Sequence, residues 1–151
     1  MKSGNAKSFI LFVTGFLLCT SLFAQSQKQF IRKGDGYFNK GRYYNAIECY
    51  EKALKFDSSA TDLNFHYAEA NRFINNYAVA ERYYQKVWMR DSKNEYPQSQ
   101  YWLGIMQKAN GRYKEAEKTF DRYVRRFARD STNYFTKRAI VEKDACTWAQ
   151  Q

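Results

Sequence analysis

Apolar residues recur at three- and four-residue steps in seven successive stretches of this chain, with polar residues between them, the spacing of one helical face. Phe30, Ile31, Tyr37 and Phe38 predict a helix over Gln27 to Asn39, and Ala46, Ile47, Tyr50, Ala53 and Leu54 a second over Tyr43 to Phe56. Leu63, Phe65, Tyr67, Ala68 and Phe73 predict a third from Thr61 to Ile74, and Ala80, Tyr83, Tyr84, Val87 and Trp88 a fourth from Tyr77 to Arg90. Pro97 stands where a helix tolerates proline, in the first turn, and opens a fifth that carries the apolar run Tyr101 to Met106. Tyr113 to Ala128 is the sixth. A seventh, over Asn133 to Trp148, carries Phe135, Ala139, Ile140, Ala145 and Trp148.

The pattern has a longer period as well. Gly41 to Ala53 returns as Asn75 to Val87 and again as Gly111 to Tyr123, and its anchor alanines, Ala46, Ala80 and Ala116, are 34 and 36 residues apart. That is the period at which one pair of helices stacks on the next. The expected fold is therefore all-α, an α-solenoid of three helix pairs (27–60, 61–96 and 97–130) closed by a C-terminal capping helix within 131–149. Lys40-Gly41-Arg42, Asn75-Asn76 and Asn110-Gly111 are the turns inside the pairs, Asn75 adopting the left-handed conformation that glycine adopts elsewhere. Asp57-Ser58-Ser59 and Asp130-Ser131-Thr132 are expected to supply capping oxygens to the helices that follow them. Gly34 falls inside the first helix, where glycine costs about 1 kcal/mol against alanine, so it is expected to let the partner helix come close.

These residues resemble tetratricopeptide repeats, whose pattern asks for a bulky residue, Leu-Gly, Tyr, Ala, an aromatic and another Ala in order. Repeat one matches with Phe30, Gly34, Tyr37, Ala46, Tyr50 and Ala53, and repeat three with Leu103, Gly104, Ala116 and Phe120. Repeat three has Gln107 in place of the Tyr and Tyr123 in place of the last Ala. Repeat two keeps Ala68, Ala80 and Tyr84, with Asn64 and Asn71 at two aromatic positions, and Ser58, Ser92 and Ala128 stand where the closing proline would be. The resemblance covers residues 27 to 129 and implies a non-enzymatic protein-protein interaction scaffold with a concave binding surface. In repeats that hold chaperone C-termini, a basic and asparagine clamp grips the carboxylate; here Ile31, Asp35, Gln98 and Trp102 occupy the matching places, which disfavours that ligand.

Residues 1–24 fall outside the repeat. Lys2 and Lys7 precede the apolar run Phe9 to Phe23, and Ala24 is followed by Gln25, the layout of a secretory signal removed after Ala24. The run is short for a spanning helix. An uncleaved anchor is one alternative; lipidation at Cys19 is another, although Leu18 is not the small residue such a signal wants. The signal ending Phe-Ala-Gln, three such repeats and the stretch Asp144 to Ala149 are also similar to the N-terminal part of multidomain outer-membrane proteins of Bacteroidota. There the repeats precede a propeller and an OmpA-like peptidoglycan-binding domain, as in the PorE-like components of type IX secretion and gliding. Peptidoglycan binding does not carry over to the residues present.

Composition adds the charge. Loss of Lys2 and Lys7 takes the formal charge from +10 to +8, with 23 basic against 15 acidic residues. An exported protein this basic suits an acidic protein surface or an anionic envelope better than nucleic acid. Tyr and Phe number 13 and 12, enough to fill the gaps between packed helix pairs. Cys49 and Cys146, far apart in sequence, are expected to pack as small apolar residues. With a single histidine, His66, no catalytic triad or His-rich metal site can be assembled; His66 is expected to pair with Glu69, one turn away, or to pack. Gly34-Asp35-Gly36 lacks the strand that a phosphate loop requires. No enzyme, cofactor, metal or small-molecule substrate is expected.

Binding is expected on the first helix of each pair. Positions not needed for packing would display Arg32, Asp35 and Asn39 from the first, Phe65, His66, Glu69, Arg72 and Phe73 from the second, and Tyr101, Trp102, Ile105 and Lys108 from the third. Aromatics beside arginine and lysine anchor peptides. Arg122, Arg125, Arg126 and Arg129 form a basic stripe on the last outer helix, either a solvated face or a contact for an acidic partner or lipid headgroups. The expected role is a scaffold in the periplasm or on the periplasmic face of the outer membrane, docking an envelope protein. The alternative is a structural spacer, or part of a larger peptidoglycan-linked protein, with an empty groove.

Overall fold

The computed structural model describes residues 25–129 and 133–151; the signal reading of 1–24, with Cys19, and the Asp130-Ser131-Thr132 cap lie outside them. Among the described residues there are seven helices and no strands: α1 (25–38), α2 (Tyr43–Leu54), α3 (Thr61–Phe73), α4 (Tyr77–Arg90), α5 (Gln98–Ala109), α6 (Tyr113–Arg126) and α7 (Tyr134–Trp148). From α2 onward each helix packs chiefly on its neighbours in sequence, with a lesser contact between α5 and α7. Three consecutive core clusters follow the stack, one around Tyr50 and Leu63, one around Tyr84 and Leu103, and one around Phe120 and Ala139. None of the described helices is long and apolar enough to cross a membrane.

The register of the repeat is visible atom by atom. The turns inside the pairs place Gly41, Asn75 and Gly111 at φ 70, 60 and 76, at the same point of each unit. Glycine accepts that backbone freely and asparagine at little expense. At the crossing of each pair a small residue, Gly34, Ala68 or Gly104, lies opposite a wholly buried ring, Tyr50, Tyr84 or Phe120. A Cβ on Gly34 would fall 2.5 Å from the Tyr50 ring, and one on Gly104 would fall 2.6 Å from the Phe120 ring. Glycine there lets the two helix axes approach, as expected.

Several ends differ from the sequence reading. Helices α2, α3 and α6 stop before Phe56, Ile74 and Ala128. The side chain of Asp57 does not cap α3: it accepts from the Ser59 N–H at 2.7 Å and closes its own turn, leaving Ala60 as the first flanking residue. Asn133 is the cap of α7, accepting from the N–H groups of Phe135 and Thr136 at 2.9 and 3.3 Å. Glu81, a buried carboxylate on α4, takes Asn110 Nδ2 at 2.7 Å and the guanidinium of Arg112, fastening the third turn to the preceding pair. Cys49 and Cys146 are both free and buried, and burial pushes the Cys146 thiol up.

Candidate functional site

Helices α1, α3 and α5 come first in their pairs and carry most of the expected binding residues, and the structure divides these into three groups. Exposed residues are Arg32 and Asn39. Half-buried ones are Asp35, Phe65, His66, Trp102, Ile105 and Lys108, which reach both the groove and the packing beneath it. The remainder serve the fold.

Tyr101 corrects the sequence reading: its side chain is only 4% exposed, surrounded by Phe120, Tyr123, Trp102 and Phe135. Phe73, though 44% exposed, stacks flat on Tyr43 at 4.6 Å beside Phe38, so it closes the end of the first pair. Arg72 is a strut. Its guanidinium meets Glu69 at 2.7 Å and the Tyr84 hydroxyl at 3.1 Å, and lies 4.0 Å from the Trp102 ring and 4.4 Å from that of Phe73. Helical periodicity identifies a face but not which neighbour covers it, and here α7 covers Tyr101 while the third pair covers Arg72.

Carboxylates sit beside the small crossing residues. Asp35 accepts the Tyr50 hydroxyl at 2.7 Å, and Glu69, one repeat on, accepts the Tyr84 hydroxyl. Burial, reinforced by these carboxylates, raises the pKa of both phenols, so they stay protonated donors. Repeat three has Phe120 and Ile105 at the same two places, and the tie is absent there. His66 does not pair with Glu69. Its Nε2 lies 3.1 Å from Asp62, one turn before it, and its Nδ1 lies 3.9 Å from Asp35 on α1. The bond to Asp62 raises the imidazole pKa above its ordinary value and lowers that of the carboxyl. Tyr96, from the loop before α5, also donates to Asp62, at 2.8 Å, and its ring lies 4.6 Å from Phe65.

Toward the far end the groove deepens into a cleft of about 700 Å³ between α5 and α7, bordered by Trp102, Ile105, Phe135 and Tyr134. Lys108 crosses its floor to Glu142 at 2.7 Å, and Arg138 reaches the same carboxylate at 3.3 Å. Phe135, Arg138 and Glu142 carry no groove signal in the sequence, because the periodicity of a capping helix does not show that it also walls a cleft. Of the basic residues expected to form a stripe on the last outer helix, Arg122, Arg125, Arg126 and Arg129 are all exposed, Arg125 pairs with Asp121 at 2.8 Å, and Arg129 lies past the end of α6. Among the described residues no group of three or more His, Cys, Asp and Glu side chains could hold a metal ion.

Family models described as tetratricopeptide repeat match residues 28–59 and 74–131. The chain belongs to the tetratricopeptide repeat family. Tetratricopeptide repeats are protein-protein interaction modules without catalytic function of their own. No curated protein matches the chain by sequence. The first tetratricopeptide domain of Spaghetti (RPAP3), bound to the HSP90 peptide SRMEEVD, is similar at 25% identity and TM-score 0.66, over 83% of this chain and 94% of that one. The yeast Sti1 TPR2B domain in complex with an Hsp70 peptide is 16% identical, with a TM-score of 0.67, over 83% of this chain and 98% of that one. The type III secretion translocator chaperone SycD of Yersinia enterocolitica is 14% identical, with a TM-score of 0.68, over 84% and 96%. At such identity the last two likenesses are of fold alone.

Proposed function

We propose that this tetratricopeptide protein is a non-enzymatic scaffold that docks an extended segment of a partner along the inner face of α1, α3 and α5. The observation that carries the reading is the row of half-buried Phe65, His66, Trp102, Ile105 and Lys108 on a stack otherwise held rigid by its own core. Such side chains gain most when a ligand completes their burial. The solved domain of Spaghetti holds a peptide that ends in acidic residues. Here Asp35, Asp62 and Glu69 lie along the face, and Ile31 is packed into the first core cluster. A segment with apolar and basic side chains suits this surface better than an acidic tail.

The partner is an envelope protein in this reading, met in the periplasm or at the outer membrane, in an assembly of the type IX secretion kind. Lys2, Lys7, the Phe9-to-Phe23 run and the Ala24-Gln25 junction support export, and +8 after cleavage supports an acidic or anionic neighbourhood. The test is capture from envelope extract with the unaltered chain and with Phe65→Ala combined with Trp102→Ala. Loss of the partner with helicity retained supports docking in the groove, and undiminished capture refutes it in favour of a spacer. Recovery of the protein from cytosol with residues 1–24 attached refutes the envelope setting.

A further inference from the structure

Helix α7 is apolar on two opposite faces. Ala139 and Cys146 point into the stack, wholly buried, whereas Tyr134, Val141 and Trp148 are 66%, 62% and 77% exposed. The outer three are seven residues apart, which puts them on one line down the helix. Together with Ile140, 43% exposed, they leave roughly 400–500 Å² of apolar surface open, given 150–250 Å² for a whole aromatic side chain. That is large for a surface facing only water.

We propose that this line is a self-association surface, on which a second copy of the chain lays its own α7 antiparallel about a two-fold axis at Val141. The spacing makes the face its own complement. With Val141 opposite its symmetry mate, Tyr134 of one copy stands level with Trp148 of the other. On one flank Lys137 of each copy comes level, within a residue, with Asp144 of the other. Lys137 and Asp144 are both exposed, and neither makes an ion pair among the described residues of its own chain. Two such faces together offer about 800–1,000 Å², short of the roughly 1,200 Å² of a tight interface, so the dimer is a weak one that forms as concentration rises. The pairing leaves the groove open over α1 and α3 and meets its far end only at Tyr134, on the rim of the cleft between α5 and α7.

The test uses the full chain in mild detergent, sized by light scattering over a range of concentrations. A mass that rises with concentration to twice that of one chain is expected, and a monomer throughout overturns the proposal. Lys137→Glu alone, or Asp144→Lys alone, sets like charges opposite each other twice per dimer and should weaken association roughly tenfold. The two swaps combined should restore it; single swaps without effect, or a double swap that does not rescue, overturn the pairing. Val141→Cys should cross-link between copies on oxidation while Tyr44→Cys, on the outer face of α2, should not. The opposite pattern overturns the axis.

Discussion

Two glycines two residues apart in α1 should respond to the same substitution with opposite signs. Gly36→Ala puts its methyl where nothing lies within 4 Å, so only the helix preference for alanine acts, and the protein should gain up to about 1 kcal/mol. Gly34→Ala receives the same benefit, but its Cβ lands 2.5 Å from Tyr50 Cε1 and 2.8 Å from Cδ1. Ordinary contact begins near 3.4 Å, so the ring must yield by close to an ångström. Tyr50 is wholly buried and its hydroxyl is tied at 2.7 Å to Asp35, the residue next to Gly34, so sliding the ring strains that bond. Overpacking of this kind costs about 1–3 kcal/mol. Subtracting the helix term leaves a net loss of about 0–2 kcal/mol, and the two variants should differ by about 1–3 kcal/mol, or several degrees in melting temperature at roughly 4 °C per kcal/mol. Ala68 occupies the same place in repeat two, against Tyr84, so the fold tolerates a methyl there when the ring is set for it. Thermal and urea melts followed by far-UV circular dichroism measure the difference. The reasoning fails if Gly34→Ala melts at or above Gly36→Ala.

The turns offer a second pair: Gly111→Ala, at φ 76, should lose about 1–2 kcal/mol, and Asn75→Gly, at φ 60, under about 0.5 kcal/mol, since it relaxes the backbone but gives up the exposed bond from the Tyr77 hydroxyl, read from the same melts. His66 is the sole histidine, so the imidazole signal of tag-free protein can be titrated by NMR without assignment, and its pKa should lie above the ordinary 6.5. The stabilisation from a raised imidazole pKa is fully present below about pH 6.5 and lost as pH rises through the raised value; that from the lowered Asp62 carboxyl is present above its ordinary 3.8 and lost on acidification. Asp62→Asn should return the histidine toward 6.5. Lys108→Met should loosen α7 by under about 1 kcal/mol, because the pair with Glu142 is partly solvated, and hydrogen exchange should rise first in α7. Glu81→Leu should cost about 1 kcal/mol, because it removes two bonds across the third turn while the exposed Asn110 and Arg112 return to water and Arg112 keeps Glu115.

The helices, their pairing and their register were legible because three separate signals shared one period: the anchor alanines, the small residue at each crossing and the left-handed residue in each turn. Helix ends were less so. Asp57 has the chemistry of a cap but spends it on Ser59 within its own turn, and Asn133, read as the first residue of α7, is its cap. The candidate surface was legible only as a face. Arg72 looks on paper like an exposed cation beside two aromatics, yet Glu69 and Tyr84 from its own repeat and Trp102 from the next consume it. His66 could reach Glu69 or Asp62 by spacing alone; the carboxylate at the preceding turn won because Glu69 was already engaged by Arg72 and Tyr84.

The crossings of the first two pairs are fastened by a phenol donating to a carboxylate, and that of the third by a neutral tie, the Thr119 hydroxyl donating to Gln107 Oε1 at 2.7 Å beside the Phe120 ring. A hydrogen bond fixes direction as well as distance. All three joints are thus set in register as well as in spacing, and they differ only in charge. The first two present a carboxylate to whatever lies inside the stack, whereas α5, which carries Trp102 and Ile105, rests on an uncharged joint.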